Sequence, residues 1–306
     1  MRVLTEKEDK YKYNTWDKVE MPEEYKTEAL RKIERDNLVS AKDYEITYEP
    51  WDSFYKRYNR TFFKERQWIS KEYPELLVCT NKILELGCGT GSTLIPIIRE
   101  RIDRRNSYLQ SGAEISEEST EIQDKDAPEQ IVLDSKDVSK CENIFGVDYS
   151  STAVELLRER VPQIKNQFAP SDITQLTEVV IEGKEIVQVD IILLIYTLSA
   201  IHPSAYPSIF SLIHRTLSSQ GIVIFKDYYE MDLTQLRFKK DQVLSKNFYQ
   251  RGDKTYVYYF SREEIEKQTA GLFKIVKYTE DKKLILNRKK QKEMYRCFIE
   301  MKLEKI

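Results

Sequence analysis

KILELGCGTG, residues 82–91, decides the fold of this chain, because a short apolar segment runs directly into a turn that contains three glycines. Such a segment is typical of a buried β-strand that ends where a helix begins. Glycine permits positive φ and lets a ligand approach the backbone closely. The next segment, STLIPIIRER (92–101), has the pattern of that helix, with Pro96 close enough to its start to be tolerated.

Apolar and helical segments alternate along the rest of the chain, which predicts a parallel, doubly wound sheet. The strand-like segments are NIFGVDYS (143–150), the short strand within QFAPSDIT (167–174), VDIILLIYTLS (189–199) and GIVIFKDY (221–228). The continuous apolar run at 189–199 is typical of a central strand that is buried on both faces. The helical segments are STAVELLRER (151–160) and HPSAYPSIFSLIHRTLSSQG (202–221), and we expect the second to stop at Gly221.

The two ends of the chain have different patterns. Residues 1–43 are polar and charge-dense, which predicts a short solvated helix with a mobile lead-in. TYVYYFS (255–261) and MYRCFIEMKLEK (294–305) alternate like later, antiparallel strands. Between them, Ser261 and Glu264 have the spacing of a capping box, which predicts a helix that starts there.

An acidic segment interrupts the alternation at residues 103–142. From Glu114 to Glu142 it has ten acidic residues and three lysines. Few apolar residues and a high negative charge predict a loop insertion that is disordered in part.

Composition excludes several classes of protein. The 306 residues have a net charge of −2, so a uniformly basic nucleic-acid coat is excluded, although a local basic face is not. No apolar run approaches the ~20 residues that span a bilayer, and the N-terminus has no secretory apolar segment. The four cysteines form no CxxC pair and no zinc-like spacing with the two histidines: Cys79, Cys88, Cys141 and Cys297. We therefore expect reduced thiols, no metal site and a cytoplasmic protein, with the nucleus as the alternative location.

Acidic residues at successive strand ends predict a ligand. Glu85 precedes the glycine turn, Asp148 ends the next strand, and Asp172 follows the third. An acid in the position of Asp148 binds ribose hydroxyls in nicotinamide enzymes and in S-adenosylmethionine enzymes alike. Asp172 followed by Ile173 suits an adenine, because the carboxylate meets the exocyclic amine and the apolar side chain covers the ring. The three elements together predict an S-adenosylmethionine site.

The same residues are also compatible with other ligands and with structural roles. Gly87, Gly89 and Gly91 are spaced G-x-G-x-G, whereas the dinucleotide fingerprint is G-x-G-x-x-G, and no Walker lysine follows. Structural roles also exist, because Asp148 would suit the cap of the helix that starts near Ser150 and aspartate is common in turns.

The sequence discriminates among methyl-transfer reactions. Methylation of an exocyclic amine often uses [DNS]-P-P-[YF] after the fourth strand, where this chain has IYTLSAIHP (195–203). Methylation at pyrimidine carbon 5 needs a cysteine nucleophile, and no cysteine here has the usual preceding proline. The remaining possibility is a substrate atom that is already nucleophilic, such as a ring nitrogen. For such an atom, correct alignment alone can lower the activation barrier by about 7–11 kcal/mol. His202 would suit either a catalytic role or a structural role in fixing its loop. His214 is expected to be structural.

WDSFYKRYNRTFFKERQW (51–68) combines aromatic and cationic residues at helical spacing. This block, with ILELGCGTG, VDYSSTAVELL, LLIYTLSAIHP and VIFKDYYEMDLTQLRFK…KNFYQRGDKTYVYYFS, resembles the eukaryotic methyltransferase-like 2/6/8 group, the tRNA 3-methylcytidine methyltransferases. The resemblance covers residues 47–304 apart from the acidic insertion, and is closest to the serine-tRNA branch. It implies an α/β class I (Rossmann-like) fold with a seven-stranded, mostly parallel sheet, helices on both faces and an N-terminal helical extension. Residues 1–75 would cover substrate and cofactor, and residues 76–306 would form the methyltransferase domain.

The resemblance also implies roles for particular residues. Methylation would occur at N3 of cytosine 32 in the tRNA anticodon loop, with S-adenosyl-L-methionine as cofactor. Trp51 and Tyr55 would reach over the cofactor. The other expected cofactor-binding residues are Glu85, Gly87, Gly89, Gly91, Asp148, Asp172, Ile173 and Ile195. The expected RNA-binding residues are Arg57, Arg60, Lys64, Arg66 and Arg237.

The chemistry of N3 methylation adds three catalytic candidates. N3 lies on the Watson–Crick edge, so the base must be unpaired or flipped to be reached. Tyr196 is one of several aromatic residues able to stack on it, which is worth ~1–3 kcal/mol. The product base is cationic, so the Asp227 carboxylate would stabilise the developing charge, and His202 is the third candidate.

Two rival functions remain at this stage: methylation of a protein or small molecule, and an inactive tRNA-binding subunit. The expected partners are tRNA and, by resemblance alone, seryl-tRNA synthetase, with no membrane.

Overall fold

The structure is a computed structural model that describes residues 2–4, 9–38, 46–59, 62–110, 131 and 133–306. Its α-helices are α1 (Glu23–Asn37), α2 (Glu49–Tyr58), α3 (Ile69–Glu72), α4 (Leu94–Gln110), α5 (Ser135–Cys141), α6 (Ser151–Arg160), α7 (Tyr206–Thr216), α8 (Leu233–Leu236) and α9 (Arg262–Thr269). Its strands are β1 (Thr15–Asp17), β2 (Ile83–Leu86), β3 (Ile144–Asp148), β4 (Phe168–Pro170), β5 (Val180–Ile181), β6 (Lys184–Glu185), β7 (Val189–Ile195), β8 (Leu217–Tyr228), β9 (Val243–Ser245), β10 (Phe248–Gln250), β11 (Tyr256–Tyr258), β12 (Phe273–Asn287) and β13 (Lys292–Lys305).

One large sheet organises the molecule, with strands in the order β1-β12-β13-β8-β7-β2-β3-β4. Neighbouring strands from β8 to β4 are parallel, whereas β13, β12 and β1 are added antiparallel. The predicted α/β fold with a mostly parallel sheet is confirmed. The sheet has eight strands rather than seven, because β1 extends the edge formed by β12.

Alternate side chains of the central strands enter two cores, one on each face of the sheet. Leu84 of β2 packs in the core that includes α7, whereas its neighbour Ile83 packs in the core that includes α4 and α6. β7 alternates in the same way, with Ile192 on the first face and Ile191 on the second. Burial on both faces is the physical reason for the unbroken apolar run at 189–199.

The N-terminal segment is docked rather than solvated, which corrects the prediction for residues 1–43. Trp16 of β1 is only 1% exposed and packs with Leu284 and Leu286 of β12. At the C-terminal end of α1, the Tyr249 hydroxyl donates to the Asp36 carboxylate at 3.3 Å. These partners are more than 200 residues away, so local charge density gave no sign of them.

Several element boundaries also differ from the prediction. α7 ends at Thr216 and Gly221 lies inside β8. β11 belongs to a separate three-stranded sheet with β9 and β10. The predicted loop at 103–142 contains the end of α4 and the whole of α5, and its residues 111–130 and 132 lie outside the described residues. The cap at Ser261 is confirmed, since its hydroxyl accepts the Glu264 N–H at 3.3 Å.

All four cysteines are free thiols. In the described ranges, no helix is both long and apolar enough to cross a membrane. No group of three or more metal-ligating side chains occurs in the same part of the chain.

Candidate active site

Two adjoining clefts lie at the carboxyl ends of the parallel strands, where ligands bind in folds of this type. The first encloses about 600 Å³ and the second about 810 Å³. Four residues line both clefts: Trp51, Tyr55, Gly87 and Tyr196. The two clefts are therefore neighbouring compartments that meet at these side chains.

The first cleft brings together two of the three acids that the sequence predicted, Asp148 and Asp172, whereas Glu85 lines neither cleft. The Asp148 carboxylate accepts the N–H groups of Gly89 at 2.8 Å and Ser150 at 2.9 Å. Burial raises the pKa of Asp148 to about 6, although these hydrogen bonds oppose the shift. The Ser150 hydroxyl, not Asp148, caps α6 by accepting the Ala153 N–H at 3.1 Å. Asp148 is thus left to hold the glycine turn and to face the cleft.

Asp172 and Ile173 form another wall of the first cleft. One Asp172 oxygen accepts the N–H and the hydroxyl of Thr174, at 2.9 and 2.7 Å, which fixes the turn after β4. Tyr48 and Tyr149 line the same cleft, with their rings edge to face at 5.6 Å. A carboxylate, an apolar side chain and aromatic walls together have the chemistry that an adenine ring requires.

Three buried polar side-chain atoms lack a partner within the described part of the chain: Trp51 Nε1 at the clefts, Glu85 Oε2 just before the glycine turn, and Gln167 Oε1, whose residue lines neither cleft. Glu85 is 1% exposed, and burial raises its pKa to about 8, although the Arg66 charge opposes the shift. Unsatisfied buried groups of this kind require an explanation, and a ligand that supplies a positive charge and an acceptor provides one. S-adenosylmethionine has a cationic sulfonium, an ammonium group and a carboxylate, so the residues present fit the predicted cofactor.

The three glycines of the turn have positive φ but different roles. A Cβ on Gly87 would collide with the Thr197 side chain, and one on Gly89 would lie 2.6 Å from the Tyr55 hydroxyl. Both glycines line the clefts. A Cβ on Gly91 would instead collide with Leu157, so Gly91 allows α4 and α6 to pack and does not line either cleft.

Aromatic residues dominate the second cleft. Tyr196 follows β7 with φ of +58°, a conformation that is uncommon for a residue with a side chain and that often marks functional sites. Its ring packs 5.4 Å from Tyr228 and 5.8 Å from Phe298. Phe62 and Ile195 also line this cleft. The arrangement offers flat apolar surfaces next to the glycine turn.

Arg66 lines the second cleft, unlike the other expected RNA-binding cations within the described residues. It donates to the hydroxyls of Ser92 and Thr93, the latter at 3.1 Å, and lies 5.3 Å from the centre of the Tyr196 ring. Its backbone N–H also donates to the Ser92 carbonyl at 2.8 Å. A cation beside the start of α4 has the charge and hydrogen-bond donors that suit a carboxylate.

Asp227 and His202 line neither cleft. Asp227 is fully buried and accepts the N–H groups of Ser199 at 3.0 Å and Tyr228 at 2.9 Å. Burial raises its pKa to about 6. The His202 ring is bonded to the Ser204 hydroxyl at 2.7 Å, and burial lowers the pKa of His202. The His202 bond lies within its own loop, and Asp227 bonds Ser199 and Tyr228, which line the second cleft.

The other expected RNA-binding cations, here called the outer cations, face solvent where the structure describes them. Arg57, Lys64 and Arg237 are exposed and lie outside both clefts. Arg60 lies outside the described residues.

Sequence reasoning missed Arg251, which lines the second cleft, donates to the Tyr256 carbonyl at 2.8 Å and lies 5.7 Å from the Tyr228 ring centre. The turn QRGDK (250–254) that carries Arg251 was noted only as part of a longer resemblance.

Comparisons with known proteins agree with this geometry. Residues 54–272 match the family described as "Methyltransferase domain". A tRNA N(3)-methylcytidine methyltransferase of Schizosaccharomyces pombe is 35% identical, over 99% of this chain and 91% of that protein. The tRNA(Thr) (cytosine(32)-N(3))-methyltransferase of Saccharomyces cerevisiae is 33% identical, over 98% of this chain and 44% of that protein.

A human tRNA N(3)-cytidine methyltransferase is 30% identical, over 98% of this chain and 92% of that protein. Among solved structures, an S-adenosylmethionine-dependent methyltransferase from Anabaena variabilis aligns with a TM-score of 0.50 at 10% identity, covering 88% of this chain and all of that one. The structural likeness concerns the fold alone.

Proposed function

This chain belongs to the tRNA N(3)-methylcytidine methyltransferases, and we propose on that premise that it methylates N3 of cytosine 32 in the tRNA anticodon loop. It is an S-adenosylmethionine-dependent enzyme with a class I methyltransferase fold. Position 32 is supported by the printed name of the Saccharomyces cerevisiae relative. The observation that carries the proposal is the pair of adjoining clefts, which share Trp51, Tyr55, Gly87 and Tyr196.

The first cleft is the proposed site of the adenosine part of the cofactor, and the amino-acid end would extend past the glycine turn into the second cleft, which Gly89 and Arg66 line. Asp148 would hold the ribose hydroxyls, Asp172 and Ile173 the adenine, and Glu85 with Arg66 the charged amino-acid end. When bound, S-adenosylmethionine supplies a methyl group on a positively charged sulfur, which a nucleophile can attack. Trp51 and Tyr55 cover the boundary between the clefts and so exclude water from it.

The second cleft is the proposed site of the target base. The N3 atom of neutral cytosine carries a lone pair, so no base is needed to activate it, and orientation is the main contribution of the protein. Tyr196 and Tyr228 offer ring faces for stacking, and Ser199 offers a polar group nearby. Because N3 lies on the pairing edge, the cytosine must leave the loop stack to enter this cleft. Asp227 contributes by holding Ser199 and Tyr228 in place.

The substrate surface outside the clefts is proposed on charge alone. Arg57, Lys64 and Arg237 would meet RNA phosphates, with residues 1–75 acting as the covering part and 76–306 as the methyltransferase domain. The serine-tRNA branch and the partner seryl-tRNA synthetase stay predictions, and the Saccharomyces cerevisiae relative is named for a threonine tRNA instead. The cytoplasmic location also stays a prediction.

The test is methyl transfer from labelled S-adenosylmethionine to serine and threonine tRNA transcripts, each with and without seryl-tRNA synthetase, followed by nucleoside mass spectrometry. We expect label in 3-methylcytidine that disappears when cytosine 32 is replaced by uridine. Label that persists after this replacement would contradict position 32. Label in protein with none in RNA would favour a protein methyltransferase, and absence of cofactor binding would favour an inactive subunit.

A further inference from the structure

Helix α2 carries Trp51 and Tyr55 over the clefts, and Asp52 between them points away from both clefts towards α6. One oxygen of its carboxylate accepts the Ser150 hydroxyl at 2.7 Å and the Thr152 N–H at 3.1 Å. The other oxygen pairs with Lys56 at 2.7 Å. Asp52 thus supplies an acceptor from another element to the first turn of α6, where a negative charge is favoured.

The loop that Asp52 contacts is the one that carries the ribose-binding acid. Ser150 donates its N–H to Asp148 and its hydroxyl to Asp52, so a single residue joins the two carboxylates. The remaining contact between α2 and α6 is apolar, made by Phe54 and Tyr55 against Ala153. Apolar contact is not directional, whereas the bonds to Asp52 fix the rotation and height of α2 on α6.

The Asp52 side chain is 20% exposed, so the link is only partly open to solvent. Burial opposes ionisation of Asp52, but hydrogen bonds from Lys56, Ser150 and Thr152 outweigh it and hold the pKa of Asp52 well below its usual range. The carboxylate is therefore ionised at any pH at which the protein works. Lys56 lies on α2 itself and is 67% exposed, so its bond to Asp52 helps to lower the pKa of the carboxylate but does not link α2 to α6.

We propose that Asp52 is a positioning residue for cofactor binding, which locks the cover formed by Trp51 and Tyr55 to the ribose-binding loop at Asp148–Ser150. It acts through these groups and touches neither cofactor nor base. Because the link is reciprocal, a cofactor that orders the Asp148 loop also holds the cover closed, and a closed cover slows release of the cofactor.

The test is cofactor affinity and release rate, measured by calorimetry and stopped-flow fluorescence with S-adenosylhomocysteine. Comparison with Trp51→Phe isolates the emission of Trp51. We expect Asp52→Ala to weaken binding by about 2- to 30-fold, the range that corresponds to loss of a helix-cap hydrogen bond. Asp52→Asn should bind more tightly than Asp52→Ala, because its amide oxygen still accepts from both donors. Asp52→Glu keeps the charge but misplaces the carboxylate, so it should resemble Asp52→Ala. Lys56→Ala is the control and should bind as the wild type does.

A merely structural role makes different predictions. If Asp52 acts through the cover, Asp52→Ala should weaken cofactor binding by less than about a further twofold in a Trp51→Ala background. Such non-additivity is expected of coupled residues. Equal affinity for Asp52→Ala, Asp52→Glu and wild type would overturn the proposal, as would an undiminished effect in the Trp51→Ala background. Should Asp52→Ala fail to fold by circular dichroism, the comparison of Asp52→Glu with Asp52→Asn decides.

The inference rests on the cofactor site of the proposed function. If the wild type bound no cofactor, that function would fail, whereas normal binding by the variants would sink the inference alone.

Discussion

The Tyr55 hydroxyl lies directly over Gly89, so closely that a Cβ on Gly89 would be 2.6 Å from the Tyr55 oxygen. A residue of the N-terminal extension therefore packs against the glycine turn of the sheet, and the absence of a side chain at Gly89 makes that contact possible. The lack of a side chain at Gly89 therefore leaves room for Tyr55 as well as for the ligand.

Gly89→Ala should weaken cofactor binding by at least about tenfold, since it combines a collision with Tyr55 and strain at φ of +51°. Calorimetry with S-adenosylhomocysteine measures the effect. Gly183→Ala is the matched control, because Gly183 also has positive φ but no atom within 4 Å of its Cβ position. Tyr55→Phe removes the hydroxyl and should partly restore binding to Gly89→Ala. If the double variant bound no better than Gly89→Ala, the contact would not be the cause.

Glu85 makes the stability of the cofactor-free protein depend on pH. Its pKa is about 8 when folded, against an ordinary value of 4.5, so the folded state keeps a proton that the unfolded state has lost. The free energy of unfolding should therefore fall as pH rises from about 4.5 to 8, by up to about 1.4 kcal/mol per pH unit. Urea denaturation at several pH values measures this slope. Asp148 and Asp227 contribute in the same direction but only up to about pH 6. The difference in slope between the wild type and Glu85→Gln from pH 6.5 to 8 therefore measures the contribution of Glu85.

The same proton should couple to cofactor binding. A cationic cofactor favours ionised Glu85, so binding at pH 7 should release a proton, and affinity should rise roughly tenfold from pH 6.5 to 8. Calorimetry in two buffers of different ionisation enthalpy counts the protons. An affinity for S-adenosylmethionine that stays flat over this range, with no proton released, would show that Glu85 does not face the cofactor.

The glycine turn and its acids were predictable because each follows a strand within a few residues, and parallel strands bring their carboxyl ends to one edge. Arg66 and Asp52 were not, since their partners lie 26 and 98 residues away. Arg66 sits among exposed cations in the sequence, and only the packing of the segment against α4 shows that it points inward. The docking of the N-terminal segment through Trp16 was not predictable for the same reason, because β12, the strand that pairs with β1, comes near the end of the chain.

Substitution of Arg66 and substitution of the outer cations should therefore have different effects on cofactor binding and on RNA binding. Arg66→Ala should weaken cofactor binding by about tenfold or more, the loss expected when a charge-assisted bond is removed, and leave the salt dependence of RNA binding unchanged. Arg57→Ala and Lys64→Ala should leave cofactor binding intact and each reduce the slope of log affinity against log salt by about 0.7–1. Fluorescence anisotropy with a tRNA, at several salt concentrations, measures the slopes. A reduced slope for Arg66→Ala would indicate that Arg66 contacts RNA phosphates.

Phe62 is the most exposed aromatic residue named in the second cleft, with 54% of its surface accessible. Its ring is held edge to face against Phe54 at 4.8 Å, so it is supported from beneath while its outer side stays open. A supported, exposed ring at the mouth of a cleft that receives an extruded base is suited to stack on RNA. Phe62→Ala should therefore raise the KM for tRNA by about 5- to 150-fold, which corresponds to a loss of ~1–3 kcal/mol.

Cofactor affinity should not change in Phe62→Ala, since Phe62 is an exposed residue of the second cleft that is not among the residues assigned to the cofactor. Tyr149→Ala is the mirror-image control: Tyr149 is 39% exposed and lines only the first cleft, so its loss should weaken cofactor binding without raising the KM for tRNA. Steady-state kinetics with each substrate varied in turn separate the two effects. If both substitutions changed the same constant, the two clefts would not divide cofactor from base, and the assignment of the second cleft to the cytosine would have to be abandoned.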